Sequence, residues 1–324
     1  MCPSAGGEEA QGEKALSHPV PTNTRPLSLL PLPREAHTSE YVSQPDRDSC
    51  MTATTASASA SRVLVSVEGG VAHVRLNRPD KHNGVDVALI EELIAVARRL
   101  KRDKSLRAVI LSGEGPSFCA GLDIKGVMGG GPLKVALAFL PLWKPWANRY
   151  QVVSMIWRSL SVPVIAAIHG NCFGAGIQLA LGADIRIAAP GSRISVMEAK
   201  WGLIPDMAGT VLLREVLPRD VALELTYTGR ILDAGEAQAL GLITRIADDP
   251  LAAAKALAEQ IATRSPDSVA AAKHLFDEAW GNSEYGALAA ERKWQRRLIG
   301  RKNQRVASAR NLGKPDTPYV PRSW

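Results

Sequence analysis

Val162-Pro163-Val164-Ile165-Ala166-Ala167-Ile168-His169-Gly170-Asn171-Cys172-Phe173-Gly174-Ala175-Gly176 is the stretch on which the fold turns. Its first half is a short apolar run rich in β-branched residues, the composition of a strand buried on both faces. Three glycines and one alanine then fall within Gly170–Gly176, where small residues let a ligand approach the backbone closely. A helix from Ala175 to about Leu181 aims its N-terminal N–H groups and positive dipole end at that ligand. Such a corner binds phosphate, forms half of an oxyanion hole, or is a close helix–strand crossing with no ligand. The stretch alone leaves all three open.

Working outward, the same strand–turn–helix grammar recurs on the N-terminal side. Val63–Val67 and Val71–Leu76 flank Glu68-Gly69-Gly70, a hairpin signal. Asp86 is placed to cap a helix to about Lys101, with Val87, Ile90, Leu93, Ile94, Ala97 and Leu100 on one face. Ala108–Leu111 is a buried strand, Ser112–Gly121 a loop, and 127–131 a glycine-rich turn. Leu140, Leu142, Trp143, Trp146 and Tyr150 form an amphipathic helical segment before the opening strand, and Asp184–Ala188 is a further strand after it. Alternating strands and helices predict an α/β layer with parallel strands and right-handed crossovers.

Beyond Ile194 the pattern changes. Glu198 and Asp206 bracket a loop, and Asp206 either caps a helix to about Leu217 or takes part in chemistry. The chain past Arg219 reads as mainly helical, with a short strand near Ile243–Ile246 and separable helices at about 266–280 and 284–305 that suit a fold over a neighbouring subunit. Residues 1–61 are rich in proline, serine and threonine and are expected to be a disordered extension. They lack a charged start leading into an apolar segment and carry too many acids for a transit peptide. Met51 is an expected alternative start of translation. The expected organisation is an extension over 1–61, a core over 62–260, and a helical region and tail over 261–324.

Composition narrows the function classes. Of 324 residues 46% are hydrophobic, ordinary for a globular protein, and no run of about 18 apolar residues predicts a membrane span. The formal net charge is +7, with much of the excess between Arg292 and Lys314. That charge suits an anionic small molecule. With no aromatic ladder interleaved beyond Trp294, nucleic acid is not expected as a partner. Cys2, Cys50, Cys119 and Cys172 have no ligand-like spacing and read as reduced thiols in a cytoplasmic setting, with no metal expected.

Four ordered motifs give the chain a family resemblance. They are Asn77-Arg78-Pro79; Phe118-Cys119-Ala120-Gly121-Leu122-Asp123-Ile124-Lys125; Pro163–Gly170 with Gly174-Ala175-Gly176; and Gly202-Leu203-Ile204-Pro205-Asp206 with Gly209-Thr210. Over about residues 62–312 the chain resembles the crotonase (enoyl-CoA hydratase/isomerase) superfamily, in pattern most like the dienoyl-CoA isomerases. The resemblance implies a spiral of ββα turns forming two roughly perpendicular sheets, with C-terminal helices used for a homotrimer or a hexamer built as a dimer of trimers. It implies an acyl-CoA substrate whose coenzyme A needs no further cofactor, and an oxyanion hole made by the N–H groups of Leu122 and Ala175. Substrate is expected against Ala120, Gly121, Asp123, Ile124, Lys125, Gly174 and Gln178. Asp123 more readily shapes the loop than does chemistry, and Lys125 either meets a CoA phosphate or is solvated surface.

The reaction depends on the acid–base residues. Hydratases of the family hold water with two glutamates, whose positions here are Gln178 and Glu198. Glutamine cannot take a proton from water. Many isomerases of the family work with the one carboxylate at the Glu198 position and the dienoyl-CoA isomerases add an aspartate eight residues on, so the resemblance implies Glu198 as the principal acid/base and Asp206 as the second. The expected activity is acyl-CoA double-bond isomerisation. The alternatives are a hydratase with an altered site and a non-catalytic acyl-CoA-binding protein.

Overall fold

The computed structural model describes residues 61–124, 126, 131, 140–143 and 146–324. Lys125, most of the glycine-rich turn and the expected disordered extension apart from Ser61 lie outside the described residues. Strands β1 (Val63–Glu68) and β2 (Val71–Leu76) pair antiparallel around Gly69 and Gly70, at φ 55° and 80°. Two consecutive left-handed residues match the twist of a two-residue hairpin, and glycine occupies them without steric cost. Helix α1 (Val87–Arg102) begins at Asp86, whose side chain accepts from the Leu89 N–H. Its buried face is Leu89, Ile90, Leu93, Ile94, Ala97 and Leu100.

β3 (Ala108–Gly113), β4 (Val164–Ile168), β6 (Ile185–Ala188) and β9 (Arg245–Ile246) join β2 in parallel, giving a six-stranded sheet in the order β1-β2-β3-β4-β6-β9. All five residues of β4 are buried, because both faces of the sheet are covered. Val109, Leu111, Val164, Ala166 and Ile168 join the main core with α1. The alternate residues Ala108, Ile110, Ile165 and Ala167 meet Ala254 and Ala258 of α7 (Pro250–Ala262). This is the period-2 geometry of a strand read out on two sides.

A second sheet, β5-β7-β8, is made of strands only two or three residues long: Asn171–Phe173, Arg193–Ser195 and Leu232–Asp233. β5 lies inside what the sequence presents as a turn, and β8 within the region expected to hold one strand. Helices α2 (Arg149–Met155), α3 (Ala175–Leu181), α4 (Gly209–Leu213), α5 (Arg219–Thr228) and α6 (Ala234–Ala239) connect the strands. The expected helix from Asp206 to about Leu217 is shorter, and its cap position is Ala208, in the left-handed region at φ 63°. Asp206 does not cap it.

The C-terminal region is α8 (Pro266–Ala279), α9 (Glu284–Leu298) and α10 (Lys302–Asn311). The single helix expected over 284–305 is interrupted around Gly300, at φ 73°. The region is tied to its own chain. Lys273 Nζ donates to the carbonyls of Trp157 and Val162 and to Asp184, and His274 bonds Ser161 at 2.8 Å. Arg322, 2% exposed, donates to the carbonyls of Leu106 and Lys101 at the end of α1. None of the described helices is long and apolar enough to cross a membrane.

Candidate active site

β5 is the axis of the site. On one side Cys119 bridges Cys172, with the Phe173 N–H donating to the Cys119 carbonyl and the Cys119 N–H to that of Asn171, both at 3.0 Å. On the other side β5 pairs in parallel with β7, Phe173 opposite Ser195. The chain leaves the carboxyl ends of these neighbouring segments at three points: Ala120–Leu122, Gly174–Ala175, and Val196 to Glu198. Crevices at the carboxyl ends of parallel strands are where ligands bind in α/β folds.

The first two points meet closely. A β-carbon built at Gly176 would lie 2.3 Å from the Cys119 carbonyl oxygen, so only glycine allows α3 to start against the 119–122 loop. Asp123 holds that loop from behind. Its Oδ2 accepts from Arg78 Nη2 at 2.8 Å and its Oδ1 from the Gly126 N–H at 2.9 Å. Arg78 also donates to the Gly84 carbonyl and lies 3.4 Å from Asp86. Burial pushes the Asp123 carboxyl up, but the Arg78 and Gly126 hydrogen bonds outweigh it and hold it below the usual range. Asp123 is thus an ionised brace of the loop, and Arg78 is the brace's other half. The Arg in Asn77-Arg78-Pro79 is the signal by which the sequence could have disclosed it.

Among the described residues, neither the Leu122 N–H nor the Ala175 N–H donates to a protein acceptor. Ala175 is the first residue of α3, where an N–H has no partner within the helix. Cys119 and Cys172 beneath them are fully buried, and burial pushes the Cys119 thiol up to about 12. Neither is a nucleophile at neutral pH. His169 ends the strand on the Gly115 carbonyl at 2.8 Å, a structural bond.

The third point delivers Glu198. It opens a single turn, Glu198–Trp201, directly after β7, and is 8% exposed. Its Oε1 accepts from Gln178 Nε2 at 2.6 Å. Its Oε2 is buried with no partner among the described residues. Gln178 stands one turn into α3, is 1% exposed, and accepts from the Met207 N–H on its own Oε1 at 2.9 Å. Expected to hold substrate, Gln178 has its carbonyl and one amide N–H already engaged within the protein. The Met207 N–H is a participant that no sequence pattern announces. Burial pushes the Glu198 pKa up, the Gln178 hydrogen bond opposes this, and the charge of Asp206 adds to the rise. Asp206 is half-buried and is also raised by burial. Tyr150 of α2, 4% exposed, lies in the field of Asp206 and is pushed up, first by burial and further by that charge. Its phenol stays protonated beside the site. Trp157 is wholly buried in the core, whereas Trp143, Trp146 and Trp201 are largely exposed.

The arrangement therefore combines two backbone N–H groups on adjoining segments, unengaged among the described residues, with one buried carboxyl whose pKa burial raises. Donors of this kind stabilise an oxygen on which negative charge develops, and such a carboxylate can exchange protons near neutral pH.

The family model described as enoyl-CoA hydratase/isomerase matches residues 66–316. The chain is 34% identical over 244 residues to 1,2-epoxyphenylacetyl-CoA isomerase of Escherichia coli (strain K12), covering 74% of this chain and 90% of that protein. It is 34% identical over 221 residues to the mitochondrial Delta(3,5)-Delta(2,4)-dienoyl-CoA isomerase of Rattus norvegicus, covering 65% and 66%. The crystal structure of an enoyl-CoA hydratase from Bacillus anthracis superposes with a TM-score of 0.72 at 30% identity, covering 80% of this chain and 99% of that one. On the family model, these relatives and the shared fold, the chain belongs to the enoyl-CoA hydratase/isomerase family, the crotonase superfamily.

Proposed function

We propose that the protein is an acyl-CoA double-bond isomerase, with Glu198 as principal acid/base and Asp206 as the second. The observation that carries this reading is Gln178. Where hydration in this family uses a second carboxylate, this chain has an amide hydrogen-bonded to Glu198. An amide does not take a proton from water, so one buried carboxylate is left to work on the carbon chain. Two of the relatives above carry isomerase names, which supports the same reading.

In the proposed reaction the thioester oxygen receives the Leu122 and Ala175 N–H groups. Glu198 removes a proton from the acyl chain, and the electron pair of the broken C–H bond passes into an enolate held by those donors. One such donor is worth about 3–4 kcal/mol of barrier. Asp206, whose pKa burial raises, protonates the chain at the far end of the shifted double bond. Solvent exchange then restores both carboxyls. Coenzyme A arrives as part of the substrate, against Ala120, Gly121, Ile124 and Lys125. The working assembly is a homotrimer or a dimer of trimers in the cytoplasm; exposed Phe276, Trp280, Tyr285 and Leu288 on α8, α9 and their link suit burial against other copies.

The test is a 3-enoyl-CoA and a 3,5-dienoyl-CoA substrate, followed by the ultraviolet absorbance of the conjugated products. Glu198→Gln should lose about 10²–10⁴-fold in kcat; retention of wild-type turnover overturns the mechanism. Asp206→Asn should impair the dienoyl reaction more than the simple one, and equal effects would remove Asp206 from the chemistry.

A further inference from the structure

We propose that Gln178 is a positioning residue that decides which oxygen of Glu198 exchanges the proton: Oε2 reacts and Oε1 does not. The inference rests on the reading of Glu198 as the acid/base. It begins from a backbone group whose polarity is fixed. The Met207 N–H can only donate, so the Gln178 atom 2.9 Å from it must be the carbonyl oxygen. The amide nitrogen is then the atom 2.6 Å from Glu198 Oε1. An amide N–H also can only donate, so Oε1 accepts in both protonation states of Glu198. With one Oε1 lone pair held by that N–H and Oε2 unpartnered among the described residues, a proton arriving at the carboxylate is favoured on Oε2 over Oε1.

Packing holds this chain of polarity in place. A β-carbon at position 209 would come within 2.6 Å of Gln178 Oε1, and one at position 174 within 3.1 Å of Glu198 Oε1. Both positions are glycine, and the two side chains fill the room this leaves. Oε2, buried and without a partner among the described residues, keeps its lone pairs free for the substrate. In the transfer the C–H bond facing Glu198 breaks, its electron pair passes into the enolate, and the proton bonds Oε2. Return of that proton to carbon is the same step reversed. Among the described residues, the other titratable groups bearing on the pair are Asp206, whose charge opposes ionisation of Glu198, and beyond it Tyr150.

The experiment compares pH profiles of kcat and KM for wild type, Gln178→Met and Gln178→Glu, with thermal melts as a check on folding. Gln178→Met keeps the volume and loses the donor. Its kcat should fall about 10–100-fold with KM within about twofold. Its acid limb should move to higher pH, because the lost N–H bond favoured the ionised carboxylate. Gln178→Glu can still accept from Met207 and, when the pair holds one proton, can donate an O–H to Oε1. It should therefore exceed Gln178→Met at low pH and lose that advantage as the shared proton leaves. An unshifted acid limb in Gln178→Met overturns the proposal, as does a ratio of the two variants that is flat with pH. If Gln178→Met does not fold, the bell-shaped profile expected of Gln178→Glu decides alone, and its absence overturns the proposal. An active Glu198→Gln overturns the reading beneath it. An inactive Glu198→Gln beside a wild-type-like Gln178→Met overturns this inference only.

Discussion

Gly176→Ala is the sharpest test of how the two loops of the site are joined. The new methyl would sit 2.3 Å from the Cys119 carbonyl oxygen and 2.9 Å from its β-carbon. Carbon–oxygen contacts settle near ~3.3–3.6 Å, so the start of α3 and the 119–122 loop must part by roughly 1 Å. The obstacle is backbone, held by the Cys119–Cys172 bridge, and cannot rotate away. Overpacking of this kind costs about 1–3 kcal/mol. That movement would widen the gap between the Leu122 and Ala175 N–H groups by up to about 1 Å, and a displacement of that size at a reacting centre is worth about 10²-fold in rate. A thermal melt and the isomerase assay should both register the change, with kcat falling more than KM rises. Gly191→Ala is the control, since a β-carbon there meets nothing within 4 Å. A Gly176→Ala protein with the melting temperature and turnover of wild type would refute the account of the loop contact and of its part in the site.

Three further outcomes are expected. Because the folded state raises the Glu198 pKa above its ordinary value of 4.5, ionising it costs stability; the cost is absent below that value and grows as pH rises through the folded pKa. Removing that ionisation, Glu198→Gln should gain in Tm relative to wild type as pH rises from acid to neutral; a Tm difference that does not vary with pH would contradict this. Cys119 and Cys172 should resist iodoacetamide in the native protein and react only on unfolding, as read by mass spectrometry of the peptides; rapid native labelling would contradict their burial. Arg322→Ala should cost about 2–3 kcal/mol by stripping donors from the Leu106 and Lys101 carbonyls; an unchanged denaturant midpoint would discount that tie.

Much of the framework was legible in the sequence because its signals are local. The Gly69-Gly70 hairpin, the Asp86 cap and the Val164–Ile168 strand each depend on neighbouring residues only, and α3 runs from Ala175 to Leu181 as expected. The second sheet was not legible. Strands of two or three residues show no periodicity, and β5 exists only because Cys119 and β7 flank it. Ala208 in a left-handed conformation, which displaces the expected cap at Asp206, follows from tertiary packing and has no glycine to announce it. The residue types at 178 and 198 were readable. Their hydrogen bond, and the Met207 N–H that orients it, join residues 20 and 29 positions apart and needed the fold.

The order of the large sheet, β1-β2-β3-β4-β6-β9, bears on how the chain is made. Every strand adds to the edge left by an earlier one, and none is inserted between two that come before it. The sheet can therefore grow in one direction while the chain is being synthesised, N-terminal part first. At each stage a single growing edge is exposed, and the next strand of this sheet to emerge covers it, β5 and then β7 and β8 going to the second sheet in the intervals. Pulse-labelled hydrogen exchange on stalled nascent chains should see protection spread from β1 toward β9.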